Sequence, residues 1–456
     1  MKTQLLKSIS ILLFLVFATS TSDAQTDVSG TISQNTNWTK SGSPYRLSGT
    51  ITLSSGIVLN IDSGVNIVFQ EGAQFYVGGS FRGNGESSDK ISVSRIGDAD
   101  TYSFYFPNTY SDSSFFTHMN FNNMNRVFSN AGAGGDAGHI EVSNCEFVNV
   151  KHFIYVASEY FNTKFVVKSC KFNNCENFTS GLITDYSFTN NTVLNSTGSI
   201  IRHWPWNSKT EIKNNLFAGN NYDGGDLIML DFIYAHADIV ISNNIFFNNS
   251  AHGLIRVDFR QMSSDSDLQI TNNLFLDNSL EYGGALMRFS APSWQTTINE
   301  LINNNSFINN NGYALRTSIT HSNITAANNW WDTQDTTVIH SKYIYDFNDD
   351  LTLGKVIVSP LLVASAIESP PMPFELVYPR DSSIVEISTD NNWSDTLTFA
   401  WNEAIEPDGD AVTYDIELTG DLSVLNWHLF DHCDKTKFMC AVPNHRIEDF
   451  LSIEGV

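Results

Sequence analysis

A short motif that recurs along the chain constrains the fold more than any other feature of the sequence. It consists of two small polar residues, most often Asn-Asn, then one variable residue and a large apolar residue. The apolar residue recurs at steps of 25, 21, 24, 29, 29, 32 and 24 residues, at Phe147, Phe172, Val193, Phe217, Phe246, Phe275, Phe307 and Trp331. A repeat of this length indicates a solenoid, in which each repeat packs on its neighbours.

The stretches between the motifs indicate the kind of solenoid. They are short, alternating and β-rich, as in Phe165–Val167, Asp238–Ile241 and Leu268–Ile270. The sequence shows neither the amphipathic stretches of a helical repeat nor the spaced leucines of a leucine-rich repeat. It therefore predicts a parallel β-helix whose coils rise about 4.8 Å each. In such a coil, asparagines at one turn would stack into a ladder, and inward Phe rings would stack in the core.

Both ends of this region carry longer patterns. Val28–Gly79 contains "LNIDSGVNIVF" after Ser-Gly turns, and Asn328–Leu362 begins with "NNWWDT" and ends in a strand followed by Pro. These segments resemble the opening and closing coils of right-handed parallel β-helix (pectate-lyase-like) proteins of bacterial surfaces. The resemblance implies an all-β, right-handed parallel β-helix solenoid. It implies no single function, because this fold carries lyases, hydrolases, adhesins and spacers.

The first 24 residues have the pattern of a secretory signal peptide. Two lysines precede the apolar run Ile9–Ala18, and small residues favour cleavage between Ala24 and Gln25. This run is too short to span a bilayer, and no later stretch of the sequence is long and apolar enough. We therefore expect a secreted, extracellular or outer-surface protein without a transmembrane segment, in a compartment that permits disulfides.

The remaining chain divides into two regions. We expect the β-helix at residues 25–364, a stiff Pro-rich linker at 365–373 and a second module at 374–456. In this module, spaced apolar runs separated by turn residues predict a β-sandwich. Leu397–Leu418 resembles the fibronectin type III-like modules of bacterial secreted proteins. We expect the module to be incomplete, because the last strands of that family have no counterpart before Val456.

Charge limits the classes of partner. The chain has 49 acidic and 25 basic residues and a formal net charge of −24, and loss of residues 1–24 would make it −25. This excess of acid argues against nucleic acid or an anionic membrane as the main partner. Only 16% of residues are charged and 12% are aromatic, which argues against disorder.

Alignment of the strands that follow the motifs brings arginines together. Four of the 11 arginines fall in one outward column, which runs Thr184, Arg202, Met229, Arg256, Arg288 and Arg316. Two positions further along the strands, the same outer face would carry Tyr186, Trp204, Asp231 and Asp258, with Trp206 at the adjoining corner. Guanidinium groups bind carboxylate or sulfate through paired hydrogen bonds, and aromatic rings stack on sugars. The candidate ligand-binding residues are therefore Arg202, Trp204, Trp206, Asp231, Arg256, Asp258, Arg288 and Arg316.

Three interpretations of this column stay open. Neighbouring acids could neutralise it, which would leave a structural spacer. It could bind a polysaccharide or cell-surface glycan without catalysis, as expected of a monomeric attachment protein, and this is the interpretation that we favour. It could also form the subsites of a polysaccharide lyase, which needs a basic residue and either Ca²⁺ or Arg to neutralise the substrate carboxylate.

The residues near the column give the enzymatic interpretation little support. Lys209 and Lys213 are close in sequence but do not align with the arginines. A hydrolase would need paired acids, and Asp231 and Asp258, at a nominal spacing of about 4.8 Å, are closer than an inverting enzyme requires. We therefore expect no catalytic residue, and no cofactor unless Ca²⁺ binds.

Other polar residues favour structural roles. Asp185 and His203 would point inward on neighbouring coils and satisfy each other. Glu406–Asp410 can be interpreted as a calcium loop but is better explained as a turn.

The five cysteines fit no metal pattern, because no CxxC pair or His–Cys cluster occurs. Cys145 and Cys170 occupy the same motif position on neighbouring coils, where either a disulfide or two buried thiols would fit. Cys433 and Cys440 would close a small loop or remain reduced, and Cys175 has no evident partner.

Overall fold

The computed structural model describes most of residues 25–367 and five segments beyond them. The gaps are 98–101, 108, 131–137, 157–160, 182, 206–207, 235, 262–266, 294–299, 321 and 366, and the later segments are 376–378, 396–404, 414–422, 425–433 and 437–441. The chain forms an all-β parallel β-helix, as the repeat predicts. In a typical coil, three strands lie on three faces, and each strand pairs in parallel with the same strand of the next coil.

The first face is an 11-stranded parallel sheet. Its strands are Thr36–Trp38, Val58–Ile61, Ser80–Asn84, Ser113–Thr117, Gly138–Ser143, Phe161–Lys168, Ile183–Thr189, Lys209–Lys213, Asp238–Ser242, Asp267–Thr271 and Glu300–Asn303.

The second face consists of short strands, each centred on the apolar residue of the motif in the later coils. They are Asn66–Phe69, Ile91–Arg95, Met119–Asn122, Glu146–Val148, Lys171–Asn173, Thr192–Leu194, Leu216–Ala218, Ile245–Phe247, Leu274–Leu276 and Ser306–Ile308. The opening strands Thr26–Ile32 and Tyr45–Leu53 run through both the second and the third face.

The third face carries the longest strands. They are Gln74–Val77, Tyr102–Phe106, Arg126–Asn130, His152–Val156, Thr179–Gly181, Ile201–His203, Asn221–Tyr234, Ser250–Gln261, Ser279–Ser290, Tyr313–Thr317 and Ile344–Tyr345.

Short elements complete the described chain. Ile324–Thr325 pairs with Val356–Ile357 after the last full coil. The helical segments are a 3₁₀ turn at Lys40–Gly42, an α-helical turn at Thr336–Val338 and a π-helical segment at Ile339–Tyr343. In the part of the chain that the structure describes, none of the helices has the length and apolar character needed to cross a membrane.

Antiparallel strands follow the β-helix. Leu376–Tyr378, Thr396–Trp401 and Lys437–Ala441 form one sheet, while Tyr414–Leu422 and Leu425–Cys433 form a hairpin. The assignment to a fibronectin type III-like module and the domain bounds stay predictions. Glu406–Asp410 and the side chains of Cys433 and Cys440 lie outside the described residues.

The Asn-Asn motif forms the corners on both sides of the second face. At the first corner, the leading residue, for example Asn243 with φ 56°, adopts the left-handed conformation that Asn tolerates better than most residues. The second residue, Asn244, is buried, and its Nδ2 donates to Oδ1 of Asn273 on the next coil at 2.9 Å and to a carbonyl at 2.8 Å. The predicted ladder is therefore confirmed, and it is double: Asn191, Asn215, Asn244, Asn273, Asn305 and Asn329 line one corner, and Asn220, Asn249, Asn278 and Asn310 line the other.

The motif aromatics fill the core beside these ladders. Their ring centroids are 4.7 to 5.3 Å apart in two runs, Phe121–Phe147–Phe172 and Phe217–Phe246–Phe275–Phe307–Trp331. Val193 interrupts the stack, and Phe188 of the first face fills the gap, 5.8 Å from Phe172 and 6.3 Å from Phe217.

Cysteines replace Asn in the earlier coils. Cys145 and Cys170 stand at the first corner as buried free thiols, and each sulfur donates to main-chain carbonyls. Burial raises the pKa of the Cys145 thiol. Cys175, also a buried thiol, begins the second corner row, and burial raises its pKa to about 11. Of the two alternatives for Cys145 and Cys170, the structure has the reduced pair.

The ladder predicts that the two Asn residues of one motif contribute very differently to the stability of the protein. Asn244→Ala should destabilise the protein by about 2–4 kcal/mol, because it leaves the buried amide of Asn215 and its own neighbours without partners. Asn243→Gly, at the exposed left-handed position, should change stability by less than about 1 kcal/mol. Urea midpoints of the two variants check this expectation, and equal losses would contradict the assigned roles.

Glu300 predicts a pH dependence of stability. Burial raises the pKa of its carboxyl to about 7, although it accepts a hydrogen bond from the Thr325 amide at 3.0 Å. The folded state then binds this proton more tightly than the unfolded state, whose Glu titrates near about 4.3. Stability is therefore highest below about pH 4.3 with respect to this group and falls by about 3 kcal/mol as pH rises to about 7. Glu300→Gln should reduce the difference between urea midpoints at pH 5.5 and pH 8, whereas exposed Glu71→Gln should not.

Candidate ligand-binding face

The third face places the predicted arginines in register. Arg202 pairs with Met229, Met229 with Arg256, Arg256 with Arg288, and Arg288 with Arg316. The alternate residues Ile201, Ile228, Ile255, Met287 and Leu315 are fully buried, as predicted for the inward positions. Paired positions of parallel strands point the same way. The column of Arg202, Met229, Arg256, Arg288 and Arg316 therefore points outward, and we call it the arginine column. The ligand-binding role of its members stays a prediction.

Two buried aspartates connect the arginine column. The side chains of Asp226 and Asp231 are each only 3% exposed. Asp231 accepts from Nε of Arg202 at 3.2 Å and from Nη2 of Arg256. Asp226 lies 3.6 Å from Nη1 of Arg256 and accepts from Nη1 of Arg288 at 3.0 Å. The result is a continuous chain Arg–Asp–Arg–Asp–Arg across four coils.

The series of Arg–Asp ion pairs depends on a glycine that lies between Asp226 and Arg288. Asp226 pairs with Gly253 of the next coil, and Gly253 pairs with Ala285 of the coil after that. A β-carbon at Gly253 would lie 2.2 Å from Oδ1 of Asp226 and 3.0 Å from Cδ of Arg288. Only glycine leaves room for the Asp226 carboxylate to reach across its neighbouring coil to Arg288.

The charges of the aspartates outweigh the cost of burying a guanidinium. Burial opposes the charge of Arg256, but its hydrogen bond to Asp231 and the charges of Asp231, Asp226 and Asp258 raise its pKa. Two arginines one coil apart in water would repel by about 1 kcal/mol. The buried aspartates offset this repulsion, because each carries a negative charge between two of the arginines.

The arginine column retains a positive excess. Arg202, Arg256, Arg288 and Arg316 carry four positive charges against the two of Asp226 and Asp231. Asp258, further along the strand, binds Arg260 at 3.0 Å and accepts from Ser290 at 3.1 Å, so this pair adds no net charge. The arginine column itself therefore carries two positive charges in excess of its two buried aspartates, in a protein whose net charge is −24.

The arginine column ends in a group of tyrosines that the sequence analysis missed. Arg316 stacks its guanidinium over the ring of Tyr345, 4.4 Å from its centroid, and donates from Nη1 to the Gly283 carbonyl at 2.7 Å. Tyr313 meets Tyr345 edge-on at 5.6 Å. Next to Gly283, Tyr282 is fully exposed.

Tyr282 is exposed because its strand bulges. Leu280 pairs with Ala251 and Ala285 with Gly253, so the four residues 281–284 stand opposite His252 alone and form a bulge, in which Tyr282 is exposed. Gly283 has φ 76°, a conformation that glycine adopts readily. The Gly-Gly pair after Tyr282 was the sequence signal for this bulge.

One part of the sequence alignment was wrong. Ser180, not Thr184, pairs with Arg202, because Ile183–Thr189 belongs to the first face. Tyr186 is accordingly a buried residue that pairs with Thr210 and does not share the outer face of the arginine column. The 21-residue coil from Phe172 to Val193 is the shortest of the series, and its third-face strand ends at Gly181.

The predicted inward pair of Asp185 and His203 was wrong for the same reason. Asp185 is exposed on the first face and accepts a hydrogen bond from the Lys209 amide at 3.2 Å. His203 is buried, with Nε2 2.9 Å from the Thr210 hydroxyl.

Two tryptophans and two lysines complete the inventory of predicted residues. Trp204 follows the strand that carries Arg202 and is half-buried, while Trp206 lies outside the described residues. Lys209 and Lys213 lie on the first face, where both bind Glu211, at 3.1 and 2.8 Å. Within the described residues, no group of three or more His, Cys, Asp and Glu side chains is arranged to hold a metal ion.

Sequence comparisons add no relative to this picture. A scan against protein-family models gave no match, and a search of curated proteins gave none. The class of the protein is therefore defined by its fold, a parallel β-helix, and its function has to be inferred from the chemistry of the third face.

The Arg–Asp chain predicts unequal roles for two aspartates of one face. Asp231→Asn should destabilise the protein by about 2–3 kcal/mol, because it removes the shared counter-charge of Arg202 and Arg256, which are only partly exposed. Asp258→Asn is the matched control and should cost less than about 1 kcal/mol, since the Asp258 side chain is 16% exposed, whereas that of Asp231 is only 3% exposed. Urea midpoints measure both, and a cost of Asp231→Asn no larger than that of the control would show that the chain contributes nothing to stability.

Proposed function

We propose that the protein is a secreted or surface-held β-helix that binds an acidic polysaccharide along its third face without cleaving it. The observation that carries the proposal is the in-register stack of Arg256, Arg288 and Arg316 on consecutive coils. Such a stack presents one guanidinium about every 4.8 Å along the solenoid axis. A linear chain of carboxylated or sulfated sugars laid along this axis would meet a new donor at each coil.

The ion pairs support this role by fixing the guanidinium groups before a ligand arrives. Preorganised side chains lose less conformational entropy on binding. An arginine has five N–H donors, and among the described hydrogen bonds Arg288 and Arg316 each donate through Nη1 alone. Both side chains therefore keep donors for a carboxylate or sulfate.

The tyrosines support a sugar rather than a simple anion as the ligand. Tyr282, which precedes the Gly283 that binds Arg316, offers an exposed ring, and Tyr345 lies beneath the Arg316 guanidinium. Aromatic faces next to charged donors suit a ring that is apolar on one side and carries an acidic group on its edge. The end of the arginine column at Arg316 would form the strongest subsite.

Two observations favour binding over catalysis by a lyase. A basic catalyst has to lose its proton, and the raised pKa of Arg256 opposes that loss. Lys209 and Lys213 lie on the first face, away from the arginine column. A spacer role is the second candidate, and the observation that favours it is the pairing of Arg202, Arg256 and Arg288 with buried aspartates.

The test uses protein that begins at Gln25 and a panel of uronate-containing, sulfated and neutral polysaccharides on a solid support. We expect retention on the acidic glycans that decreases with salt. Arg316→Gln and Tyr282→Ala should each weaken retention about tenfold, a loss of about 1.4 kcal/mol. Neither side chain is bound to a buried aspartate in the described structure, so we expect both variants to fold.

The matched control is Arg82→Gln, which removes the same charge from an exposed arginine of the first face. It should retain the wild-type affinity. An equal loss of retention in Arg82→Gln would show that net charge alone causes the effect. If the wild-type protein is not retained on any glycan, the spacer role is favoured. Growth of ultraviolet absorbance from unsaturated sugars would instead identify a lyase.

A further inference from the structure

The coil before His252 and the coil after it both bulge opposite this residue. Residues 223–225 of the earlier coil have only His252 as their counterpart, and so do residues 281–284 of the later coil. Each bulge contains a Gly-Gly pair, whose first glycine has φ 74° in the earlier bulge and 76° in the later one. The two bulges therefore stand on either side of His252, and the later one carries Tyr282, whose ring is fully exposed.

Glu281 connects the two bulges across the coil that separates them. Its Oε1 accepts a hydrogen bond from the Gly224 amide at 2.6 Å, and its Oε2 lies 3.7 Å from Nδ1 of His252. Its carboxylate also shares a side-chain hydrogen bond with Asp223. We call the group of Asp223, His252 and Glu281 the clasp. Because Tyr282 directly follows Glu281, the clasp fixes the chain from which the exposed ring projects.

Two of the three contacts of the Glu281 carboxylate need a proton that is lost as the pH rises. Two carboxyl groups share a hydrogen bond only while one of them is protonated. The contact with His252 is an ion pair only while the imidazole is charged, and histidine is the side chain whose charge ordinarily changes between pH 5 and 8. Only the Gly224 amide donates at every pH.

The carboxyl groups of the clasp respond to each other in the same sense. The hydrogen bond from the Gly224 amide, and after it the one from Asp223, lower the pKa of Glu281. The hydrogen bond to Glu281 and the charge of Glu281 raise the pKa of Asp223. Glu281 is therefore the ionised acceptor of the clasp, and Asp223 is the carboxyl group that donates.

Other charged and titratable groups lie on the strands that carry or adjoin the clasp. Arg316 donates to the Gly283 carbonyl at 2.7 Å and so holds the other side of the Tyr282 bulge at every pH. The phenols of Tyr222 and Tyr313 belong to a class of group that ionises far above neutral pH. The remaining carboxylates and guanidinium groups are bound to one another in ion pairs, and they are Asp226, Asp231, Arg256, Asp258, Arg260 and Arg288.

We propose that the clasp is a proton-dependent switch, which holds the Tyr282 bulge in place in acid and releases it as the pH rises, so that the third face binds its glycan most strongly in acid. As the pH rises, Asp223 ionises and repels Glu281, and His252 loses the charge that attracts it. The effect on the glycan rests on the proposed binding role of Tyr282, whereas the closure of the clasp needs no ligand.

The first measurement is amide hydrogen exchange, followed by mass spectrometry, of the protein used for the glycan test. Rates for peptides that contain the two bulges are divided by the intrinsic exchange rate at each pH, so that only the change in protection remains. We expect protection of both bulges to fall at least about tenfold between pH 5.5 and pH 8. Constant protection of the wild-type protein would overturn the switch.

Two variants separate the roles within the clasp. Asp223→Asn should stay protected at pH 8, because its amide donates to Glu281 at every pH. Glu281→Gln should lose the pH dependence, because its amide carries no charge for a proton to stabilise. The matched control is Asp238→Asn, which removes the same charge from an exposed residue of the first face and should behave like the wild type. The stability change expected from Glu300 would persist in Asp223→Asn, so the two effects can be told apart.

The second measurement is retention on a sulfated polysaccharide, whose own charge is constant over this pH range. We expect wild-type retention to weaken at least about threefold between pH 5.5 and pH 8, and Asp223→Asn to keep the acid value at pH 8. Retention that ignores pH while protection changes would refute the regulation of binding. An equal change in Asp223→Asn would show that other groups cause it and would refute the clasp. No retention at either pH would be a failure of the proposed function, and protection alone would then decide on the clasp.

Discussion

The buried amide ladder is the interaction on which the rest of the structure depends. An asparagine side chain has both donors and an acceptor, so identical residues can stack coil upon coil while each satisfies the next. In the described chain the second Asn of the motif does this at both corners of the second face, and the first Asn takes the left-handed turn before it. The ladders fix where each short strand begins and ends. They also align the third-face strands, and thereby the arginine column.

Stacking has the opposite consequence for a charged side chain. A column of amides gains a hydrogen bond at each coil, whereas a column of arginines gains repulsion. The structure compensates with Asp226 and Asp231, which stay buried while the arginines remain partly exposed. The strands achieve this by departing from strict register, since Asp226 reaches Arg288 past Gly253. The fold and the arginine column thus follow from repetition, whereas the contact that neutralises Arg288 depends on a local departure from it.

This difference explains how much could be predicted from the sequence. Steps of 21 to 32 residues kept the motif recognisable, so the solenoid, the ladder, the Phe stack and the column of Arg202, Arg256, Arg288 and Arg316 followed from alignment. The alignment failed at Thr184 because the shortest coil moves that segment to another face. The bond between Asp226 and Arg288 spans 62 residues and depends on a bulge, and the exposure of Tyr282 depends on another. The spacing of the motifs along the sequence gives no information on such bulges.

Outward rows on the second and third faces differ in what covers them. On the second face, Leu274 and Leu276 are buried although they point away from the core, so an apolar row there is satisfied by the protein's own chain at Ile367. On the third face, the arginines stay 29% to 45% exposed even though buried aspartates lie between them. Partial neutralisation lowers the cost of keeping the arginine column, but it leaves donors directed at solvent. An apolar row that is covered is structural, whereas a charged row that is fixed in place and still open is what our proposal of glycan binding rests on.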